Sequence, residues 1–595
     1  MYKSYIKYKI NDISIKNKNE KIVVEGWVHR IRNHGNLFFI DLRDHTNILQ
    51  LVHDNKDNSS LSTLIDELKP ESVISVYGTI IERSASTINK NSHTGTIEFK
   101  IDHIEVRNKS KPLPFPVNEE GNVEEELRLK YRYLDMRKPY MQKNITLRHH
   151  IIFAIRELLN KKEFLEIETP ILTKNTPEGA REFIVPTRLD GKFFSLPQSP
   201  QLYKQLLMAS GFSKYFQIAR CFRDEDLRAD RQFEFTQLDI EMSFIKELDI
   251  QNLIEEILTM IFAKFLGLSI TTPFLRMPYQ QAFALYGSDK PDIRFEIPIS
   301  KITSMFENTS IEFLKKVINQ KGEIGCLHIT HKKFSRSELD HFVEYMVNNG
   351  AKGLLWMKIN EDNTLDSPIS KFLPTDFIQK IKSEYPHIKG GDTLFIMAGH
   401  YEETWTYLGR LRLYLGKVLN LINPEEYKFL WVTDFPLFEF DKENKTWNAV
   451  HHPFTRPNKK DFHDSEIKDL TAVAYDVVLN GIELGGGSMR IYEKPLQERI
   501  FDILGLDRIL MEKKFGFLLE AQDYGFPPHG GIALGLDRLV MLIVKAQSIR
   551  DIIAFPKTPS GDPLMDGPSY VDDEFLKEYK LKRITPINNK NIKEK

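Results

Sequence analysis

Cysteine is nearly absent from this 595-residue chain. Its two cysteines, Cys221 and Cys326, are too few and too far apart for a disulfide framework or a zinc site. A reducing compartment is the natural setting. No apolar run approaches the ~18 residues that would argue for a membrane-spanning helix. The opening MYKSYIKYKI interleaves lysine with apolar residues and carries no signal-peptide core, so a cytoplasmic location is expected. Charge of one sign is lacking too. The 82 Lys+Arg face 83 Asp+Glu, which excludes a uniformly basic nucleic-acid coat but not a local basic patch. There is no repeat of fixed period and no long low-complexity tract. What is present is an ordinary globular mixture, 41% hydrophobic and 28% charged, which excludes wholesale disorder. At about 150 residues per domain the length predicts about four domains.

The patterning predicts an α+β multidomain chain. Residues 20–107 read as all-β: the alternating runs IVVEGWV, NLFFIDLRD, ILQLVHD, SVISVYGTIIE and GTIEFKIDHIEV are separated by turn signals such as His34-Gly35-Asn36. About five strands fit a small closed barrel, with an oligonucleotide-binding (OB) fold as one candidate for residues 1–107. The stretch from Lys111 to Pro116 has three prolines and reads as a break, making 108–138 a linker. At its end, from Leu127 to Lys138, the basic residues Arg128, Lys130, Arg132, Arg137 and Lys138 outweigh the acids. Beyond it, Ile151, Ile152, Ile155, Leu158 and Leu159 form a helical stripe, followed by a short strand FLEIET that stops at Pro170. Residues 139–287 and 426–555 read as two parts of one domain. Residues 288–425 read as an inserted α/β domain with none of the flanking chemistry. Residues 556–595 read as an irregular C-terminal extension.

The densest chemistry lies on an expected hairpin, 215–225 with 233–244. Alternation puts Ala219, Cys221, Arg223 and Glu225 on one face of the first strand. Phe235, Gln237, Asp239 and Glu241 share a face of the second, while Leu238, Ile240, Met242 and Phe244 form a hydrophobic back. A solvated sheet face would explain any one of these polar residues. Phe235 within the polar row argues against it, as does a loop tip bearing Arg228 and Arg231. Arginines beside a lone aromatic suit an anionic ligand with a flat ring, such as a nucleotide.

A second hairpin turns at Asn480-Gly481, the preferred type I′ pair. It aligns Val478 with Glu483 and puts Asp476 one diagonal step from Glu483. Two carboxylates plus phosphate oxygens is how Mg²⁺ is usually held. Two surface acids near a turn is the plainer alternative. The adjoining Gly485-Gly486-Gly487 shifts the balance, because glycine lets a ligand approach the backbone. A third patch, Gly530 to Arg538, runs from strand through glycine into a helix bearing Asp537 and Arg538. No Gly-Lys-Ser/Thr follows, so it is not a Walker loop.

Together these segments resemble the three signature motifs of class II aminoacyl-tRNA synthetases. The helix and strand ending at Pro170 are similar to motif 1, Arg220-Cys221-Phe222-Arg223-Asp224-Glu225 to motif 2, and Gly535-Leu536-Asp537-Arg538 to motif 3. The N-terminal barrel and the insertion narrow the resemblance to bacterial-type aspartyl-tRNA synthetases. Gln198 to Lys204, Thr176 to Ala180 and His451 to Phe454 are similar to that family's substrate-pocket segments. The resemblance covers nearly the whole chain. It implies an antiparallel catalytic sheet of six or seven strands, a homodimer built on motif 1, and tRNA, ATP and L-aspartate as substrates, with Mg²⁺ as cofactor.

It also implies residue roles. Arg223 would bridge the α-phosphate and the substrate α-carboxylate, acting in catalysis with Arg538. Glu225 would read the adenine amino group, and Phe235 and Arg538 would sandwich the ring. Asp224, Gln232, Gly535, Leu536 and Asp537 complete the implied ATP site. Asp476 and Glu483 would hold Mg²⁺. Lys204 and Arg490 would bind the aspartate side chain, with Gln201, Asp239 and Glu178 around its ammonium. His451 would sit at the pocket mouth with His452 supporting it. One departure is Phe233, in the motif 2 loop where relatives often carry a smaller residue or proline.

In the barrel, Phe39 and Gln50 are expected to face outward and read an anticodon base, with Arg30 and Arg32 on phosphates. Alternation forbids Phe38 and Phe39 from both facing inward. In bacterial relatives a histidine at the position of His34 accompanies relaxed reading, in which both tRNA(Asp) and tRNA(Asn) are charged and an amidotransferase corrects the product. Ser86, small and in a neighbouring loop, is compatible. A plain turn histidine is the alternative. The rival readings are an asparaginyl- or lysyl-tRNA synthetase, a strictly tRNA(Asp)-specific enzyme, and a non-catalytic tRNA-binding paralogue. Arg490 with Lys204 argues for an acidic amino acid, and the intact motif residues argue for an enzyme.

Overall fold

Alternating β-branched and aromatic residues make the N-terminal strands. In the computed structural model, which describes residues 5–118, 121, 123–174, 181–330, 332–558 and 567–584, they are Lys21–His34, Leu37–Arg43, Ile48–Asp54, Val73–Glu82 and Ile97–Asn108. The first strand pairs with both the second and the fourth, which closes the barrel. Ile22, Val24, Val28, Phe38, Ile40, Leu42, Leu49 and Leu51 fill its core. Gly35, at φ +73°, allows the two-residue turn from His34 to Leu37.

The proline-rich segment is better packed than a linker reading suggests. Phe115 and Val117 are buried against Leu134, and two short helices follow, Glu125–Lys130 and Arg132–Asp135. Asp135 is fully buried and receives Arg128 at 3.0 Å, Arg132 at 2.6 Å and Lys138 at 3.3 Å. Arg137 reaches Glu71 of the barrel at 2.7 Å, which ties the segment to it. The chain divides into residues 1–142 and 143–595.

The second unit is built on an eight-stranded sheet. Its order is Leu275–Pro278, Phe429–Thr433, Ala474–Leu479, Ile482–Met489, His529–Gly535, Glu234–Ser243, Lys214–Phe222 and Leu165–Glu166. The six central strands are antiparallel, and one short parallel strand caps each edge. The strand count therefore exceeds the expected six or seven by these short edges. Only Leu165–Glu166 of FLEIET is a strand.

One sheet face packs on the helices Pro139–Lys161, Glu247–Leu266 and Leu536–Ile543, with Ile151, Ile155, Leu159, Leu238, Ile240, Ile257, Ile532 and Val540 in a common core. The hydrophobic back ends at Ser243. Phe244 is 76% exposed at φ +60°, so it leaves the row assigned to it by alternation. A separate five-stranded antiparallel sheet spans Ile299–Lys301 to Thr393–Gly399. Its strand Glu323–Ile329 is apolar on both faces because Leu327 enters one core and Ile324 and Cys326 another. Among the described residues, no helix is long and apolar enough to cross a membrane.

Candidate active site

The polar face of the eight-stranded sheet floors a cavity of about 510 Å³. The first hairpin pairs Cys221 with Phe235, Ala219 with Gln237 and Gln217 with Asp239, so one polar row faces the cavity. Arg223 and Glu225 lie past the strand end at Phe222, not on the regular face that alternation predicted. Arg223 nonetheless continues the ladder through its N–H to the Phe233 carbonyl at 2.8 Å, and both residues line the cavity. The Arg223 guanidinium stands 5.2 Å from the Phe235 ring centre. The Phe233 ring packs edge-on against Phe183 at 5.7 Å.

At the bottom sits a buried quartet of charges. Lys204 donates to Asp239 at 3.0 Å and lies 3.4 Å from Glu241. Arg490 donates to both Glu241 oxygens, at 2.9 and 3.1 Å, and through Nη1 to Ser488 at 2.6 Å and His452 Nε2 at 2.5 Å. All four ionic side chains are at most 2% exposed. Two cations and two carboxylates balance, which is what makes such burial tolerable.

Burial drives the Asp239 carboxyl up, and Lys204 only partly offsets it. Burial also works to raise Glu241, but Arg490 and Lys204 overcome it and hold that carboxyl low. Burial and the Arg490 charge keep His452 neutral, so its Nε2 accepts from Arg490. His452 is thus a direct partner of Arg490, beyond the supporting place the sequence suggested. Burial pushes His451 down to about 4.

Glu241 was missed as a site residue. It stood in the alternating row with Phe235, Gln237 and Asp239, and that shared face was the available signal. Gly531, opposite it, has no room for a side chain, since a Cβ there would lie 2.0 Å from Glu241 Oε2.

Among the described residues, several lining groups are buried without hydrogen-bond partners: Gln201 Nε2, Asp239 Oδ2, Arg223 Nε and His451 Nε2. Buried polar atoms are normally satisfied, so four orphans converging on one cavity mark a place for a polar ligand.

The second hairpin turns as expected, with Asn480 and Gly481 at φ +53° and +82° and Val478 opposite Glu483. A bulge at Val477/Val478 then shifts the register, setting Asp476 opposite Gly486. A Cβ at Gly486 would lie 2.5 Å from Asp476 Oδ1. Asp476 and Glu483 both line the cavity. Burial, and then the charges of Glu483 and Asp289, push the Asp476 carboxyl well above its usual range. Among the described residues no three His, Cys, Asp or Glu side chains form a metal cluster.

Other expected site residues are less available. Glu178 lies outside the described residues. The Gln232 amide is engaged at both ends by the main chain of Lys557, at 2.6 and 3.2 Å. Glu225 pairs with Arg231 at 2.7 Å. Leu536 is buried in the core behind the sheet, and Asp224 is not among the cavity-lining residues. Asp537 gives one oxygen to Arg148 and accepts the Thr236 N–H on the other at 2.8 Å. Gly535 caps the helix, and Arg538 lines the cavity, donating to the Glu483 carbonyl at 3.0 Å.

On the barrel, Phe38 is buried and Phe39 half-buried on the outer side. His34 meets the Phe39 ring edge-on at 5.8 Å, and the Arg32 guanidinium stands 5.7 Å from it. Arg32 also bonds Asp41 at 2.8 Å and Gln50 at 3.2 Å, and Arg30 is exposed. Ser86 lies in the short turn Ala85–Thr87, bonded to Ser84.

An antiparallel sheet with this motif order and cavity defines a class, and comparison with known proteins agrees. The family described as tRNA synthetases class II (D, K and N) matches residues 124–559, and an OB-fold nucleic acid binding domain matches residues 22–107. The chain belongs to the class II tRNA synthetases and, within them, to the aspartate–tRNA ligases. It is 47% identical over 568 residues to the aspartate–tRNA(Asp/Asn) ligase of Natranaerobius thermophilus, covering 95% of this chain and 97% of that one. It is 48% identical to the protein of the same name from Endomicrobium trichonymphae, covering 96% and 98%. It is also 46% identical to the aspartate–tRNA ligase of Ruminiclostridium cellulolyticum, covering 96% and 97%. The fold is similar to that of asparaginyl-tRNA synthetase from Pyrococcus horikoshii complexed with asparaginyl-adenylate, at TM-score 0.58 and 20% identity, covering 94% of this chain and 99% of that one.

Proposed function

We propose that the chain activates L-aspartate with ATP and transfers it to tRNA(Asp) and also to tRNA(Asn). The buried quartet carries the aspartate assignment. Of Arg490's five N–H groups four are engaged, two by Glu241 and one each by His452 and Ser488. Lys204 has an N–H beyond those directed at Asp239 and Glu241. One N–H from each cation suits the two oxygens of a side-chain carboxylate. The orphan Asp239 Oδ2 suits the ammonium, whose positive charge opposes the upward push that burial exerts on that carboxyl. A neutral asparagine side chain offers the cations no counter-charge, and mismatching a buried pair costs roughly 3–5 kcal/mol.

In the first step an α-carboxylate oxygen of aspartate attacks the α-phosphorus of ATP. The bond from that phosphorus to the bridging oxygen breaks, and pyrophosphate leaves. Arg223, with its orphan Nε, stabilises the charge that builds there. Phe235 and Arg538 flank the adenine. In the second step a terminal ribose hydroxyl of tRNA attacks the activated carbonyl and AMP leaves. The protein's work is orientation and charge stabilisation. Asp476 and Glu483 fit Mg²⁺, because the buried Asp476 carboxyl, crowded by the charge of half-buried Glu483, gains from a divalent cation and hard oxygen ligands suit it. When bound, Mg²⁺ neutralises charge on the phosphates.

Phe39, flanked by Arg32 and His34, supports base stacking on the barrel. His34 beside that ring, with two relatives named for tRNA(Asp/Asn), supports relaxed reading. Exposed Phe153, Leu165 and Ile171 support a homodimer through the motif 1 region. The deciding experiment is charging of tRNA(Asp) and tRNA(Asn) transcripts with labelled aspartate. Comparable charging of both is expected, with His34→Leu depressing tRNA(Asn) preferentially. Charging of tRNA(Asp) alone defeats the relaxed reading; charging of neither defeats the enzyme.

A further inference from the structure

We propose that Arg148 is a positioning residue that sets the gap between the two walls of the adenine site. The proposal deepens the ATP-site reading above and rests on it. Arg148 projects from the helix Pro139–Lys161, on the side of the sheet opposite the cavity. Its Nη1 pairs with Asp537, and its Nη2 donates to Thr236 Oγ1 at 3.0 Å. Asp537 in turn accepts the Thr236 backbone N–H at 2.8 Å. Three elements, the long helix, the strand Glu234–Ser243 and the helix Leu536–Ile543, thus meet in one closed ring of hydrogen bonds.

The ring's place in the chain gives it meaning. Thr236 directly follows Phe235, and Asp537 directly precedes Arg538. The two walls of the adenine site are therefore each one peptide unit from a member of the ring. The Thr236–Asp537 bond sets how far apart the strand and the helix start sit, and Arg148 fixes the Asp537 carboxylate that makes it. That carboxylate lies in the first turn of its helix, where the helix dipole also favours it, so losing Arg148 leaves a tolerated charge held by the Thr236 N–H alone. The Arg148 side chain is 16% exposed and that of Asp537 is 5% exposed, so water competes poorly for either. The Arg148–Asp537 contact is charge-assisted, the stronger kind. Nothing in the ring touches Lys204, Asp239, Glu241 or Arg490 in the aspartate site, so the effect is confined to nucleotide.

The test is calorimetric titration of the full chain with Mg·ATP and, separately, with L-aspartate, alongside melting temperature. Arg148→Met is expected to weaken ATP about tenfold, the order of loss for a charged hydrogen bond, while aspartate affinity stays within about twofold. Arg148→Lys, which keeps the charge but reaches only one partner at a time, restores part of the ATP affinity. Thr236→Val, which removes one acceptor and keeps the backbone bond, gives a smaller loss of the same kind and serves if Arg148→Met does not fold. Unchanged ATP affinity in a folded variant overturns the proposal. So does a parallel fall in both affinities with melting temperature, which marks a merely structural role. Failure of the wild-type chain to exchange pyrophosphate with aspartate would instead count against the function itself, and a selective ATP effect would still stand.

Discussion

Polar rows occupy one face of the barrel and one face of the eight-stranded sheet, but water treats them differently. On the barrel, Arg32, Asp41, Gln50 and Glu98 form a chain of contacts at 2.8 to 3.2 Å, with Arg32 and Asp41 still 34% and 20% exposed. On the sheet, Lys204, Asp239, Glu241 and Arg490 make contacts of similar length at 2% exposure or less. In the first row each charge keeps a share of solvent, and the pairs are screened. In the second the charges have only each other and whatever enters the cavity. A surface row suits a long, polyanionic partner read by contact. A buried row suits a small ligand selected by charge count.

Breaking the buried row should have the largest effect. Arg490→Met leaves Glu241 buried with only Lys204, already shared with Asp239, as counter-charge, worth roughly 3–5 kcal/mol, so aspartate-dependent ATP–pyrophosphate exchange should fall by about 10²–10⁴-fold. A fall of less than about tenfold in a folded variant would mean the quartet is not the aspartate site.

Acid should find the same region next. His529 is fully buried, and burial pushes it down to about 4 from an ordinary 6.5. The unfolded chain therefore binds this proton more readily, so the contribution is intact above about pH 6.5 and is lost as pH falls toward 4. For a shift of this size the loss is about 3 kcal/mol. Burial depresses His451 and His452 as well, in the same direction. Melting temperature measured from pH 7 to 4 should fall most steeply in that window, and His529→Gln should flatten it.

The barrel should respond to substitution in a different assay. Phe39→Ala removes a stacking surface worth about 1–3 kcal/mol, so charging of tRNA should fall about 5- to 150-fold while pyrophosphate exchange stays unchanged. An equal fall in exchange would sink the division of labour between the two regions. The smallest effect is expected from Asp41→Asn. Its pair with Arg32 is partly exposed, so stability should change by under about 1 kcal/mol in urea unfolding, and less at high salt.

Much of this was legible along the chain because the rules are local. A period of two separated Phe38 from Phe39 and put Asp239 on the same face as Phe235. Asn480-Gly481 announced its turn because two consecutive left-handed residues need those side chains. Where the local rule lapsed, the reading lapsed with it. Arg223 and Glu225 lie past the end of the strand, Phe244 leaves the row where the backbone turns left-handed, and a bulge moves Asp476 from Gly485 to Gly486. Single strands do not declare their bulges or their last paired residue, since both depend on the neighbouring strand.

The sequence by itself determined the strands and helices, the barrel, the order of the three motifs and most of the chemistry-bearing residues. Each follows from side-chain period, turn chemistry or residue type. Only the tertiary structure decided how charge is distributed among them. Glu241 became the counter-ion of Arg490 across 249 positions of chain. Asp537, at the cavity wall, has both oxygens engaged by Arg148 and the Thr236 N–H, and Gln232 was taken up by Lys557. Pairing of buried charges depends on which groups share a desolvated space. That is a property of packed distance, which no spacing along the chain encodes.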